Sequence, residues 1–376
     1  MKPVGVYVHI PFCEKKCGYC DFNVYSGYKA ESQARYIDSL CEEIEKRADG
    51  REVATIYIGG GTPTLLPAEA LGRVLAVLQA GFQVTEDAEI TVEANPNDAS
   101  ASLFTALRGF GVNRLSLGVQ SFEDSELPLL DRVHSAHQAE EAVAIARAAG
   151  FTNLSLDLMF GLPRQTLKSW EKTLTKALSL KLPHLSLYGL MVEEGTAFWA
   201  RRERGKLALP DSDSEAAMLG RAHALTADAG LERYEISNYA ASGFRSRHNA
   251  LYWRNDDYFG FGAGAWSYLD GVRARNMKKP PAYGTAVREQ GWPIEESESL
   301  TPEESMGETV MLALRTVEGL NFEAFAARYG VHAEERFAEA IEKTVARGLC
   351  IVTETSLALT EQGTFLANDA MAEFIG

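Results

Sequence analysis

Several things are scarce in this 376-residue chain. It has five cysteines, an odd number, which argues against a disulfide framework. No apolar run approaches about 18–20 residues, so no transmembrane helix is expected. The start, Met1-Lys2-Pro3-Val4-Gly5-Val6-Tyr7, lacks the apolar region and small-residue cleavage site of a signal peptide and reads as a strand. A cytosolic protein is the expectation. Positive charge is also short: 37 Lys and Arg stand against 52 Asp and Glu, a net charge of −15 whose average field repels nucleic acid. What remains is ordinary globular composition, 46% hydrophobic and 24% charged, in a length that suits two or three domains or one barrel with an appendage.

Short β-branched runs alternate with helical patterns. Strands are expected over 4–10, 53–58, 88–93, 114–119, 152–159 and 184–190. Helices are expected near 31–48, 67–80, 98–109, 135–149, 167–180 and 212–229. Six β/α units predict a parallel sheet with crossover helices. The strands read as apolar on both faces, as buried parallel strands do. Six units are too few for a closed eight-unit barrel, which leaves an open barrel or a doubly wound sheet. In the first helix Ile37, Leu40, Cys41, Ile44 and Ala48 share one face, so Cys41 reads as a core thiol. Cys350, in a short strand pattern, reads the same way.

The alternation stops after residue 231. Between Tyr234 and Tyr268, 10 of 35 residues are aromatic, against 10% for the whole chain, and Gly260, Gly262 and Gly264 imply close backbone packing. Residues 244–280 carry 7 basic and 3 acidic residues, a local +4 in an acidic protein. From Glu295 to Gly376 there are 16 acidic and 5 basic residues, a net of −11, on helices followed by two short strands that resemble a winged helix. That charge argues against DNA binding. The division expected is a barrel over 1–232, an aromatic and basic segment over 233–294, and a winged-helix-like domain over 295–376.

The first strand runs into Cys13-Glu14-Lys15-Lys16-Cys17-Gly18-Tyr19-Cys20, a C-x3-C-x2-C spacing. Three soft thiolates on one loop suit an iron–sulfur cluster. A zinc site completed by His9 is the alternative. A four-iron cluster on three protein ligands leaves one iron open for a ligand. The second strand ends in Gly59-Gly60-Gly61-Thr62-Pro63-Thr64, where glycine lets a ligand approach the backbone.

On these two motifs the chain resembles the radical S-adenosylmethionine (SAM) superfamily, whose open iron chelates the amino and carboxylate groups of SAM. Tyr7-Val8-His9-Ile10-Pro11-Phe12-Cys13 narrows the likeness to the branch holding oxygen-independent coproporphyrinogen III dehydrogenase and the heme chaperones. The resemblance implies a partial (β/α)6 barrel and a 4Fe–4S cluster on Cys13, Cys17 and Cys20. It also implies a SAM shell of Tyr7, Tyr19, Gly60, Gly61, Thr62, Glu93, Gln120, Arg132 and Asp157. Most of the shell lies at or just after strand C-termini, where β/α barrels place ligands.

Two departures separate the branches. The dehydrogenase has a fourth cysteine two residues after the third, where this chain has Phe22, and a longer segment ahead of the cluster than the 12 residues found here. Both favour the chaperones. Arg247-His248-Asn249-Ala250-Leu251-Tyr252-Trp253 resembles their HNxxYW heme-binding motif. An imidazole can ligate heme iron, and Tyr252 and Trp253 offer flat faces to a porphyrin, with Asn249 in support. A buried, hydrogen-bonded histidine in a packing cluster is the alternative for His248. The basic island of Arg245, Arg247, Arg254, Arg273, Arg275, Lys278 and Lys279 is expected to meet heme propionates or anionic lipid headgroups. The implied partners are heme and apo-hemoproteins, respiratory enzymes among them, and no nucleic acid. The other activity the branch offers is radical decarboxylation of coproporphyrinogen III.

Overall fold

The computed structural model describes residues 2–375. The predicted alternation is there. β1 (Val4–Ile10) leads to α1 (Ala30–Arg47), β2 (Glu52–Gly60) to α2 (Ala68–Gly81), and β3 (Gln83–Ala94) to α3 (Ala101–Gly109). β4 (Arg114–Gln120) leads to α4 (Ala136–Ala148), β5 (Asn153–Phe160) to α5 (Leu167–Ser179), and β6 (His184–Gly189) to α6 (Ala197–Glu203) and α7 (Ser212–Asp228). The six strands are parallel and stand in sequence order. A doubly wound sheet reverses its order part-way. Without a reversal, right-handed crossovers put every helix on one face. The other face is the lumen of an open barrel.

That lumen corrects the reading of strands apolar on both faces. Leu115, Leu117, Leu154, Leu156, Leu158, Leu185 and Leu187 are fully buried in the shared core under the helices. Each contributes about 1.5–3 kcal/mol by burial. The residues between them, Ser116, Ser155, Asp157 and Ser186, face inward and bond to one another or to lumen neighbours, as Ser155 does to His184 at 2.7 Å. The strands alternate, and their polar face is the inside of the barrel.

Residues after 231 extend the same twelve-stranded sheet at both edges. β7 (Glu232–Arg233) and β8 (Asn238–Ala240) add antiparallel beyond β6. The chain then crosses the lumen as α8 (Arg247–Trp253) and returns as β9 (Tyr258–Phe261), parallel to β1 on its other side. α8 plugs the N-terminal end of the barrel. Glu89 of β3 accepts from the backbone N–H groups of Arg247 and His248 at 3.1 and 3.0 Å, and Leu251 lies where a side chain on Gly5 would collide. β10 (Trp266–Leu269), β11 (Val272–Asn276) and, after α9 (Pro280–Gln290), β12 (Ile294–Ser299) continue as an antiparallel meander. Gly260 is required there, because a Cβ would lie 1.8 Å from the carbonyl oxygen of Trp266.

Five of the seven cations of the basic island pair with acidic residues, while among the described residues Lys278 and Lys279 form no ion pair. Arg245 pairs with Glu318 at 2.6 Å, Arg273 with Glu308 at 2.6 Å and Glu298 at 3.1 Å, and Arg275 with Glu295 and Glu296. Arg247 and Arg254 pair with Asp87 and Asp256. These five arginines are therefore not the free cations expected for propionates or lipid. Much of the +4 of one segment meets the −11 of the next across β11, β12 and α10 (Pro302–Ala313). No helix among the described residues is long and apolar enough to cross a membrane.

One buried ion pair fixes the β1–β9 edge. Glu43 of α1 is 0% exposed and binds Arg47, Asn276, Tyr283 and the N–H of Gly262. Removing one member of such a network leaves an uncompensated buried charge, so Glu43→Ala should cost about 3–5 kcal/mol. The denaturant midpoint measures it; a change below about 1 kcal/mol would show that the edge holds by packing alone.

After α10 the chain forms β13 (Leu320–Asn321), α11 (Phe322–Tyr329), α12 (Ala333–Arg336), α13 (Ala338–Ala346), β14 (Cys350–Val352) and β15 (Ser356–Leu359). The three strands form a separate antiparallel sheet, and Val310, Leu314, Phe325 and Leu357 share a second core. Cys41 and Cys350 are both buried in core, as their patterns require.

Candidate functional site

The C-terminal strand ends open into a cavity of about 430 Å³ lined by Cys13, Cys17 and Cys20. β1 ends at Ile10, and Tyr25 donates its N–H to the Pro11 carbonyl at 2.7 Å, which folds residues 11–25 back as a loop over the strand ends. None of the five cysteines is in a disulfide. Among the described residues no three His, Cys, Asp or Glu side chains converge on a single ion. A four-iron cluster asks for something else, because each thiolate takes a different iron. The zinc alternative needed His9, whose ring nitrogens are engaged by the Tyr7 hydroxyl and the Asn23 carbonyl, each at 2.9 Å.

Polar contacts tie the thiols together. The Thr62 hydroxyl lies 3.8 Å from Cys13 Sγ, and Asn95 donates to that hydroxyl at 2.9 Å. Asn95 accepts from Arg132 at 2.6 Å, and Arg132 Nη1 lies 3.8 Å from Cys17 Sγ. Arg132 also donates to the Gly118 carbonyl. A guanidinium against one sulfur and a hydroxyl against another suit anionic ligands. Burial pushes the Cys13 thiol up to about 11, so a metal centre would have to displace its proton.

The glycine turn is stitched to the same loop. Gly61 donates to Ile10 at 2.8 Å and Thr62 to Phe12 at 2.7 Å. A Cβ on Gly61 would sit 2.5 Å from the Phe12 carbonyl and 3.0 Å from Cys13 Sγ, while Gly60, at φ +112°, faces the His9 ring. The backbone therefore lies bare beside the thiols, which is the cradle a cluster and an adjacent amino acid ligand need.

Glu93 stands across the turn. It accepts from Tyr57 at 2.7 Å and from the Gly60 N–H at 3.0 Å, and Gly59 has no side chain because Glu93 fills that space. Burial raises its carboxyl to about 7, against the lowering effect of the Tyr57 bond. Arg114 lowers it from a distance without pairing with it, and a ligand amino group would supply a further donor. Asp157, also raised by burial, accepts from Ser116 at 3.0 Å. Gln120 holds a left-handed φ of +67°, a backbone state unusual outside glycine.

Of the expected SAM shell, Tyr19, Gly60, Gly61, Thr62, Glu93, Gln120, Arg132 and Asp157 line the cavity. Tyr7 is not among the lining residues. It lies level with Tyr57 in the sheet, two residues below Gly59, with its hydroxyl on His9. Asn95, Tyr57, Arg114, Ser116 and Ser186 line the cavity and were not singled out from the sequence. The alternation Leu115-Ser116-Leu117 and Leu185-Ser186-Leu187 was the signal for two of them.

The expected heme residues face three ways. Asn249 lines the thiol cavity from below. His248 is 1% exposed, with Nδ1 on Thr55 at 2.9 Å and Nε2 on Tyr252 at 2.8 Å, and its ring stacks on Tyr57. Burial lowers its pKa to about 3, so it is neutral, yet both nitrogens are occupied. In this conformation it is a buried, hydrogen-bonded core histidine rather than an open ligand. Trp253 faces a different, larger cavity between the barrel and the C-terminal domain, under the guanidinium of Arg315.

Comparison with known proteins agrees with this architecture. Residues 7–177 match the radical SAM superfamily and residues 300–366 match the HemN C-terminal domain. The protein is 40% identical over 376 residues to the heme chaperone HemW of Bacillus subtilis, spanning 99% of each chain. It is 35% identical over 381 residues to the heme chaperone HemW of Escherichia coli, spanning 100% of this chain and 99% of that one. The coproporphyrinogen III oxidase HemN of Escherichia coli, a radical SAM enzyme, superposes with a TM-score of 0.87 at 28% identity over 99% of this chain and 90% of its own. With a barrel, a three-cysteine loop and likeness along its full length, the chain belongs to the HemW family of the radical SAM superfamily.

Proposed function

We propose that the protein is a heme chaperone that binds heme and transfers it to apo-hemoproteins, with respiratory enzymes as recipients. The observation that carries this reading is likeness over 99–100% of the chain to proteins named heme chaperones. In the same reading Cys13, Cys17 and Cys20 hold a 4Fe–4S cluster. Glu93 accepts a hydrogen bond from the amino group of SAM, Gly60 and Gly61 present bare backbone to it, and Gln120, Arg132 and Asp157 complete the shell. A reduced cluster of this kind supplies an electron that can cleave the SAM sulfonium. Phe22, in place of a fourth cysteine, favours the chaperone over coproporphyrinogen decarboxylation.

Heme contact is assigned to residues 248–253. Ligation by His248 requires the imidazole to leave Thr55 and Tyr252, at about 0.5–1.5 kcal/mol per hydrogen bond. The test is an anaerobic heme titration of cluster-loaded protein beside a coproporphyrinogen III turnover assay. A Soret shift without turnover is expected. Turnover, or no Soret shift, would overturn the reading. His248→Gln keeps a donor and an acceptor in the lumen, so it should weaken heme binding while leaving cluster absorbance intact. Unchanged heme affinity would make His248 purely structural.

A further inference from the structure

The lumen holds a charge that the site above does not use. Arg114, the first residue of β4, is 2% exposed. Its Nε is buried without a hydrogen-bond partner, and among the described residues no carboxylate forms an ion pair with its guanidinium. The lumen carboxylates are engaged elsewhere. Glu89 caps α8, Glu93 holds Tyr57 and Gly60, and Asp157 holds Ser116. Arg114 acts on Glu93 and Asp157 only from a distance, lowering both carboxyls, so a ligand carboxylate that pairs with it directly would be strongly favoured. Arg114 lines the thiol cavity, beside Ser186 and Asn249. In the arrangement the family resemblance implies, SAM gives its amino and carboxylate groups to the open iron at the cysteine end, so its own carboxylate is already taken.

The mouth of the same cavity carries large apolar side chains beside Lys15, Asp21 and Glu193. Phe22 is 63% exposed, Met191 65% and Tyr188 39%, and all three line it. A flat apolar ligand would cover them.

We infer that Arg114 is the receptor for a carboxylate of a second ligand, a flat apolar molecule bearing carboxylate side chains that seats on Phe22, Met191 and Tyr188. This rests on the heme reading and deepens it: the carboxylate is a tetrapyrrole propionate, bound by the planar guanidinium with Asn249 and Ser186 as further hydrogen-bond donors. Heme would then enter from the cysteine face of the barrel, and Asn249 would meet it through the lumen.

The test compares iron protoporphyrin IX with its dimethyl ester, titrated anaerobically into cluster-loaded, SAM-saturated protein. Wild type should bind the ester at least about tenfold more weakly than the diacid, the loss expected for one charge-assisted contact. Arg114→Gln should bind both forms with the weaker affinity, and Arg114→Lys should recover part of the difference. Cluster absorbance and SAM affinity should stay within about twofold in both variants. Equal affinity of wild type for diacid and ester overturns the proposal, and that comparison stands even if the variants do not fold. Discrimination retained in Arg114→Gln overturns it too, as does a variant that loses SAM affinity and keeps heme affinity, which would place Arg114 in the SAM shell. If wild type binds neither form, the chaperone reading fails and this one with it; if it binds both equally, only this one fails.

Discussion

Cys17→Ser protein should emerge from anaerobic iron–sulfur reconstitution with essentially no cluster absorbance and no measurable SAM affinity. The expectation is large because the site has no spare ligand. Three thiols come from one loop, and the remaining two cysteines, Cys41 and Cys350, are buried in the barrel core and in the core of the C-terminal domain. Serine replaces a polarisable thiolate with a hydroxyl that does not ionise near neutral pH, and two thiolates do not retain a four-iron cluster. Loss of the cluster removes the open iron that would chelate SAM, so the ligand loses its anchor as well. The fold should survive, since Cys17 is partly exposed and Arg132 keeps its bonds to Asn95 and Gly118. Cys41→Ser is the matched control. It places a hydroxyl in an apolar helix face and should cost about 1–3 kcal/mol of stability while leaving the cluster untouched. A brown Cys17→Ser protein with full iron content, or a colourless wild type carrying zinc, would refute the assignment.

The sequence made the six strands and the cysteine loop legible because each is a local signal. β-branched runs of five to eight residues, helical stripes between them and three closely spaced thiols need no knowledge of distant contacts. The lumen was missed for a different reason. Leu-Ser-Leu in three strands is an alternation, but serine between leucines looks like tolerance in a buried strand until the strand order puts those serines on one inner face. The pairing of the island's arginines was not legible because most of their partners lie outside it. Glu298 and Glu308 are 25 and 35 residues from Arg273. His248 shows the limit most clearly, since its hydrogen bond to Thr55 spans 193 residues of chain. A motif identifies a histidine; only the packing says which of its lone pairs are free. β9 was also invisible, because four residues rich in aromatics and glycine carry no periodicity, yet they complete the parallel sheet beside β1.

SAM affinity should fall as pH is lowered, and Glu93 should account for about one proton of that fall. In the free protein burial holds the Glu93 carboxyl at about 7, with Tyr57 and the Gly60 N–H opposing that rise. The iron-bound amino group of SAM donates to the ionised carboxylate and pulls its pKa down in the complex. The Glu93 contribution is therefore complete above the free-state value and is lost as pH falls through it, by up to about tenfold per pH unit. The ligand's own α-amino group must also give up its proton to bind iron, which adds to the fall at low pH and leaves no alkaline limb. Glu93→Gln keeps an acceptor for Tyr57 and the Gly60 N–H, so the turn stays in place while the charge goes. Its affinity above pH 7 should drop by about 1.5–3 kcal/mol, roughly ten- to a hundredfold. Below pH 7 its titration should be shallower than that of wild type by about one proton. Calorimetry in buffers of different ionisation enthalpy reads the same event as a proton count: below pH 7 wild type should release about one proton more per ligand bound than Glu93→Gln. A wild-type affinity that stays constant between pH 6 and pH 7 would mean that the buried carboxylate already has a counter-ion in the free protein. Arg114, in the same lumen, would then be the residue to suspect, and the two charges assigned to two ligands would instead form a single pair.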